Sequence, residues 1–156
     1  MKRSSALRAI PTGFFSWGFS IQEEDSEVAE LKMAWSGERG SFSSDGRRYE
    51  LYRQGWLTGQ FVLDTGGKIV AEANKVTPFS RSFDVVIGDR RVQLAAMSPF
   101  TRAFGVYLGK SQIGSICPDH CFTHKATLEL PTDMALPAKV FLFWLVALMW
   151  RRAASD

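Results

Sequence analysis

The sequence predicts a mainly β protein: a closed antiparallel barrel of about 11–12 strands around a buried hydrophobic C-terminal helix. Three observations predict it. Short β-type runs, split by Gly, Asp, Asn and Pro, follow one another at 8–12-residue spacing over most of the chain. Two-residue turn signals such as Gly66-Gly67 join several of them. Val140–Trp150, near the C-terminus, is apolar on every side, which requires burial in a core or a bilayer. Eleven residues rise only about 16 Å, roughly half of a bilayer core, so burial inside the protein's own sheet is the better reading. The chain has 156 residues, 46% apolar and 22% charged, enough for one domain with a core that needs no disulfide staples.

In chain order, residues 1–12 are basic and polar and end near Pro11, and they read as a flexible tail. The domain then runs over 13–156. Strands are expected near Phe14–Gln22, Glu27–Trp35, Gly40–Ser44, Arg47–Gln54, Thr58–Asp64 and Lys68–Val76. Others are expected near Ser82–Ile87, Arg90–Ala95, Ala103–Leu108, Ser111–Ile116 and Ala126–Leu130. Hairpins turn at Gly66-Gly67, within Ile87–Val92 and at Gly109-Lys110. The helix is expected over 137–152, with Pro137 in its first turn, where a missing N–H costs least. Arg151 and Arg152 complement the negative helix end and mark its exit into water. An eight-stranded barrel is filled by its own side chains and cannot admit a helix 10–12 Å across, whereas eleven or twelve strands can.

Ser4–Arg8 interrupts any apolar run after Met1-Lys2-Arg3, so a secretory signal is not expected. Lys2 stands where myristoylation needs Gly, and no C-terminal Cys box is present. A cytoplasmic setting with reduced cysteines follows, with contact at a membrane periphery compatible. A net charge of +3 and the lack of a recognisable motif argue against a nucleic-acid partner.

Gly59–Val70, Phe104–Ile116 and Ala126–Pro131 followed by Lys139 and the apolar helix together resemble the tubby C-terminal-like superfamily. That superfamily includes the tubby, phospholipid scramblase and plant LURP-one-related branches. The shared order is a Gly-containing strand, a variable loop, a strand ending in Pro and a hydrophobic helix, over roughly residues 13–152. The resemblance implies a barrel around a central helix and, from the tubby branch, binding of phosphoinositide head groups by basic surface residues. The chain departs from the scramblases, whose proposed calcium segment is rich in Asp. Here that region, Cys117–Ala126, has Asp119 as its one acidic residue, and calcium needs six to eight oxygen ligands.

Candidate chemistry is sparse. Arg47, Arg48, Arg90 and Arg91 lie beside turns, and Arg forks suit phosphate, so they are the candidate anionic-ligand residues. Cys117, His120, Cys121 and His124 are zinc-type ligands within eight residues. Their spacing fits a connecting loop better than one closed metal site. Glu23, Glu24, Asp25, Glu27 and Glu30 read as a solvated turn. Asp64-Thr65-Gly66 matches the Asp-Thr-Gly triplet of aspartic proteases, but one triplet lacks the symmetric partner with which to share a proton. No nucleophile motif accompanies His120 or His124.

The expectation is therefore a non-enzymatic module without a cofactor that binds an anionic ligand such as a phospholipid head group at a membrane periphery. A protein-interaction scaffold with an unknown protein partner, a metal-binding protein using the Cys117–His124 loop, and a protein anchored by its last helix are the alternatives.

Overall fold

Alternation of side chains along each strand decides what faces inward. In the computed structural model, which describes residues 6–13, 17–55, 59–77, 80–98, 100–120 and 123–155, twelve strands follow it. They are β1 (Leu7–Pro11), β2 (Phe19–Glu23), β3 (Ser26–Met33), β4 (Arg39–Ser44), β5 (Arg47–Gln54) and β6 (Gln60–Thr65). After them come β7 (Lys68–Lys75), β8 (Ser82–Ile87), β9 (Arg90–Ala96), β10 (Phe104–Leu108), β11 (Ser111–Pro118) and β12 (Ala126–Glu129). One helix, α1 (Leu136–Ser155), completes the chain. The expected strand starts at Phe14 and Thr58 lie outside the described residues, as does Cys121.

Every strand is antiparallel to its neighbours in sequence, and β1 pairs with β12, so the sheet closes as a barrel. Within the expected tail over residues 1–12, this corrects the reading for Leu7–Pro11, while residues 1–5 lie outside the described residues. Leu7 pairs with Leu128 on one side and Glu23 on the other, which makes β1 the closing stave. The signal was the alternation of inward Leu7 and Ala9 with outward Arg8, in a strand of only five residues.

Inward positions on the staves, among them Phe19, Leu31, Leu51, Phe61, Phe83, Phe104 and Leu128, are buried against α1. The helix is buried without interruption from Val140 to Trp150, because the wall surrounds it and leaves no solvent face. Aromatic edges fix its seat. Phe61 meets Trp144 edge-on at 5.8 Å, and Phe19 meets Phe143 at 4.7 Å. Trp144 reaches the wall because Gly40 leaves room. A Cβ there would stand 3.2 Å from Trp144 Nε1 and 2.9 Å from the Lys32 carbonyl oxygen. Among the described residues, no helix is long and apolar enough to cross a membrane.

The meander gives the barrel two unlike ends. At one, five hairpins turn in two residues each: Glu24-Asp25, Asp45-Gly46, Gly66-Gly67, Gly88-Asp89 and Gly109-Lys110. Both residues have positive φ at the first three, and Gly88 and Gly109 supply it at the others, as tight hairpins require. The β12–α1 connection also lies at this end, where the helix enters. At the opposite end the helix emerges among six longer connections, those after β1, β3, β5, β7, β9 and β11.

Candidate functional site

The charges divide unequally between the two ends. At the tight-turn end, Arg47, Arg48, Lys68, Arg90, Arg91 and Lys110 are interleaved with Glu23, Glu24, Asp25, Asp45, Asp89 and Asp133. At the helix-exit end, the described loops and adjoining strand ends carry Arg39, Arg53, Lys75, Arg81, Arg102, Lys125, Arg151 and Arg152, against only Glu38 and Asp119. Close-set cations with few counter-ions create a positive field that reaches roughly one Debye length, about 8–10 Å, into solvent.

Register builds this end from strands distant in sequence. Glu38, in the β3–β4 connection, takes a paired contact from Arg152 on α1 and lies 3.7 Å from Arg53 of β5. The guanidinium of Arg151 donates to the carbonyls of Ala34 and Gly37 in the same connection. One carboxylate thus holds the helix C-terminus to the wall while positive charge remains in excess. Burial pushes the Lys75 amine below its ordinary pKa, and Arg152 and Arg53 add to the shift, partly opposed by Glu38. Burial also lowers the Arg151 pKa, with Arg152 acting in the same direction and Glu38 against it. For both groups burial is the larger cause, and the neighbouring cations act in the same direction.

The aromatic part of this end is equally layered. The Trp150 indole donates to the Arg102 carbonyl oxygen at 2.9 Å, and the Arg102 guanidinium lies over the same ring. That guanidinium also donates to the carbonyls of His120 and Thr123, pinning the β11–β12 connection. His124 lies between Trp17 and Trp150, at ring distances of 4.5 and 5.9 Å. Burial, then the nearby Arg102, holds its pKa below the usual histidine range. Beyond these packed rings, two aromatic side chains among the described residues stand in solvent: Trp35 in the β3–β4 connection is 92% exposed and Phe100 in the β9–β10 connection 98%.

The four arginines singled out from the sequence all sit at the tight-turn end, but the structure separates the two pairs by four strands. Arg47 and Arg48 open β5, and Arg90 and Arg91 open β9. Arg48 pairs with Glu50 at 2.7 Å, and Arg90 pairs with Asp133 of the β12–α1 connection at 2.7 Å, which raises the Arg90 pKa. Arg48 lines an outer-wall hollow of about 330 Å³ together with Glu27 and Glu30, where β3 and β4 share only two rungs. Arg91 lines a different hollow, of about 370 Å³, with Asp84 and Tyr107. The pairs share an end but not a site.

Of the zinc-type residues, Cys117 lies on β11 opposite Thr127, His120 is exposed just beyond that strand, and His124 stacks on Trp150 and meets Trp17 at a tilt. Among the described residues no three His, Cys, Asp or Glu side chains are grouped to hold a metal ion. Asp64, of the Asp-Thr-Gly triplet, lies near the end of β6 and braces the hairpin turn. Its carboxylate accepts from the Gly67 amide and from the Tyr52 hydroxyl, while Thr65 donates to the Arg48 carbonyl. Burial, then Asp64, raises the Tyr52 pKa.

Sequence reasoning did not find the helix-exit end as a cluster. Its cations are spread from Arg39 to Arg152, and only closure of the barrel brings them to one rim. No family model, curated protein or solved structure matches the chain.

Proposed function

We propose that the chain is a non-enzymatic, tubby-like module that binds an anionic phospholipid surface peripherally, through the helix-exit end of its barrel. The observation that carries this reading is the concentration of cations there, with only Glu38 and Asp119 as described counter-charges. Each basic residue near an anionic membrane contributes about 1 kcal/mol, so a few exposed ones give reversible binding without an anchor. Arg39 and Lys125 are exposed and belong to different sides of that rim, so both reach a flat surface presented to it. The sequence-level resemblance to the tubby group supports the same ligand class.

Co-sedimentation with phosphatidylserine-containing and neutral vesicles tests it, at low and high salt. Binding is expected only to the anionic vesicles, weakening with salt and largely lost in Arg39→Glu/Lys125→Glu. An Arg90→Ala/Arg91→Ala protein probes the opposite end. Loss of binding in that variant alone would place the lipid face among the tight turns. Failure of the wild type to bind anionic vesicles at low salt would remove the lipid reading and leave a protein-interaction scaffold.

A further inference from the structure

We propose that the barrel stands upright on the bilayer, its axis near the membrane normal, with Trp35 and Phe100 seated at the head-group and acyl boundary. This rests on the anionic-lipid reading above and adds an orientation and an apolar contribution to it.

The argument begins with placement. An isolated exposed apolar residue is ordinary. Here two nearly bare aromatics among the described residues occupy the same end, on the β3–β4 and β9–β10 connections. Those connections are six strands apart in a ring of twelve, on opposite sides of the rim. Met97 is exposed beside Phe100, and exposed Val76 lies on the β7–β8 connection between them. With strands about 4.8 Å apart and tilted about 40°, a ring of twelve is roughly 24 Å across. Apolar points on opposite sides of such a ring define a plane across the barrel axis. No ligand small enough for one pocket touches both.

The arrangement also separates a bilayer from a protein partner. A protein interface buries a contiguous apolar centre within a polar rim. Among the described residues this end is arranged differently: Arg151, Arg152 and the Glu38 network gather at the emerging helix, and Trp35 and Phe100 stand on connections at opposite sides of the rim. Cations at the emerging helix and around the rim, with aromatic tips beside them, suit an anionic head-group layer over an acyl boundary, where an indole finds both apolar and polar partners.

The experiment uses the full chain. Vesicles carry phosphatidylserine in phosphatidylcholine, with or without brominated acyl chains, which quench tryptophan on contact. Wild type is expected to bind and to be quenched, and Trp35→Phe to bind with less quenching. Trp35→Ala/Phe100→Ala is expected to lower partitioning about tenfold or more, the scale of losing two inserted rings. Ile69→Ala/Leu108→Ala, at exposed positions near the tight turns, is the control and is expected to bind as wild type does. Circular dichroism checks that each variant is folded. Wild-type binding without quenching, or unreduced binding by the double aromatic variant, would overturn insertion and leave electrostatic lipid binding intact. No binding by wild type would instead remove the lipid reading itself.

Discussion

The two ends of the barrel are built from the same twelve strands and differ in almost everything else. At the tight-turn end the chain reverses in two residues, often through positive φ, and basic and acidic side chains alternate. At the helix-exit end the connections are longer, the charges are mostly of one sign, and two aromatic rings among the described residues are bare. The difference teaches where each demand on the sequence is met. Tight hairpins set strand register and leave little freedom for side-chain display. Longer connections on a rigid wall are where binding groups are ordinarily placed.

The strongest way to break the comparison is to remove what both ends share. Truncation after Pro131 takes away the helix and leaves a wall whose inner face has no core. Phe141, Phe143, Trp144, Leu145 and Leu148, all fully buried, contribute roughly 1.5–3 kcal/mol each, against a usual domain stability of about 5–15 kcal/mol. Insoluble or unfolded protein is expected. A soluble truncation with native circular dichroism and an unchanged melting temperature would refute the role of the helix as core.

Trp144→Ala comes next. It empties the contact with Phe61 and Phe141 and is expected to cost about 3–5 kcal/mol in denaturant unfolding, with both ends weakened together. Glu38→Gln acts on one end only. Losing the carboxylate that holds Arg152 is expected to cost about 1.5–3 kcal/mol and to make stability more salt-dependent. An Arg152→Ala/Glu38→Gln double variant measures the coupling, and strictly additive losses would show that the pair does not act as a lock.

Gly67→Val sharpens the contrast from the other side. At φ 84° a β-branched side chain is strained, and a loss of about 1–2 kcal/mol is expected with vesicle binding unchanged. The smallest effect belongs to pH. The folded-state pKa of His124 is lowered, so the unfolded chain binds more protons as pH falls below the ordinary histidine value of 6.5. His124 therefore contributes stability that is present above that value and declines toward the lower folded pKa. Comparing the pH dependence of unfolding for wild type and His124→Gln checks it, and identical profiles would show that the histidine is not the titrating group.

Fold and site were legible to different degrees for a physical reason. Gly66-Gly67, Gly88-Asp89 and Gly109-Lys110 announce hairpins because positive φ demands particular residues locally, and Val140–Trp150 announces a core because no face is polar. β1 escaped because five residues carry only two inward apolar positions, and its partner β12 lies more than a hundred residues away. Adjacent arginines attracted attention, yet neighbours on a strand point to opposite faces, so Arg47-Arg48 and Arg90-Arg91 each divide between rim and outer wall. Arg53, Lys75 and Arg152 form one electrostatic environment with nothing in their local sequence to say so. The helix itself was read as 137–152 and runs from Leu136 to Ser155.

The position of the helix also sets an order of events during synthesis. Staves β1 to β11 leave the ribosome before β12, the one strand that can close the ring, and before the residues that fill it. Until Val140–Trp150 emerges, the inner faces of the growing wall have no native partner, and the seam between first and last strands joins residues more than a hundred positions apart. Such long-range closure is slow, and unpaired edges invite association with other chains. Protection of the nascent barrel is therefore needed most until β12 and the helix have emerged.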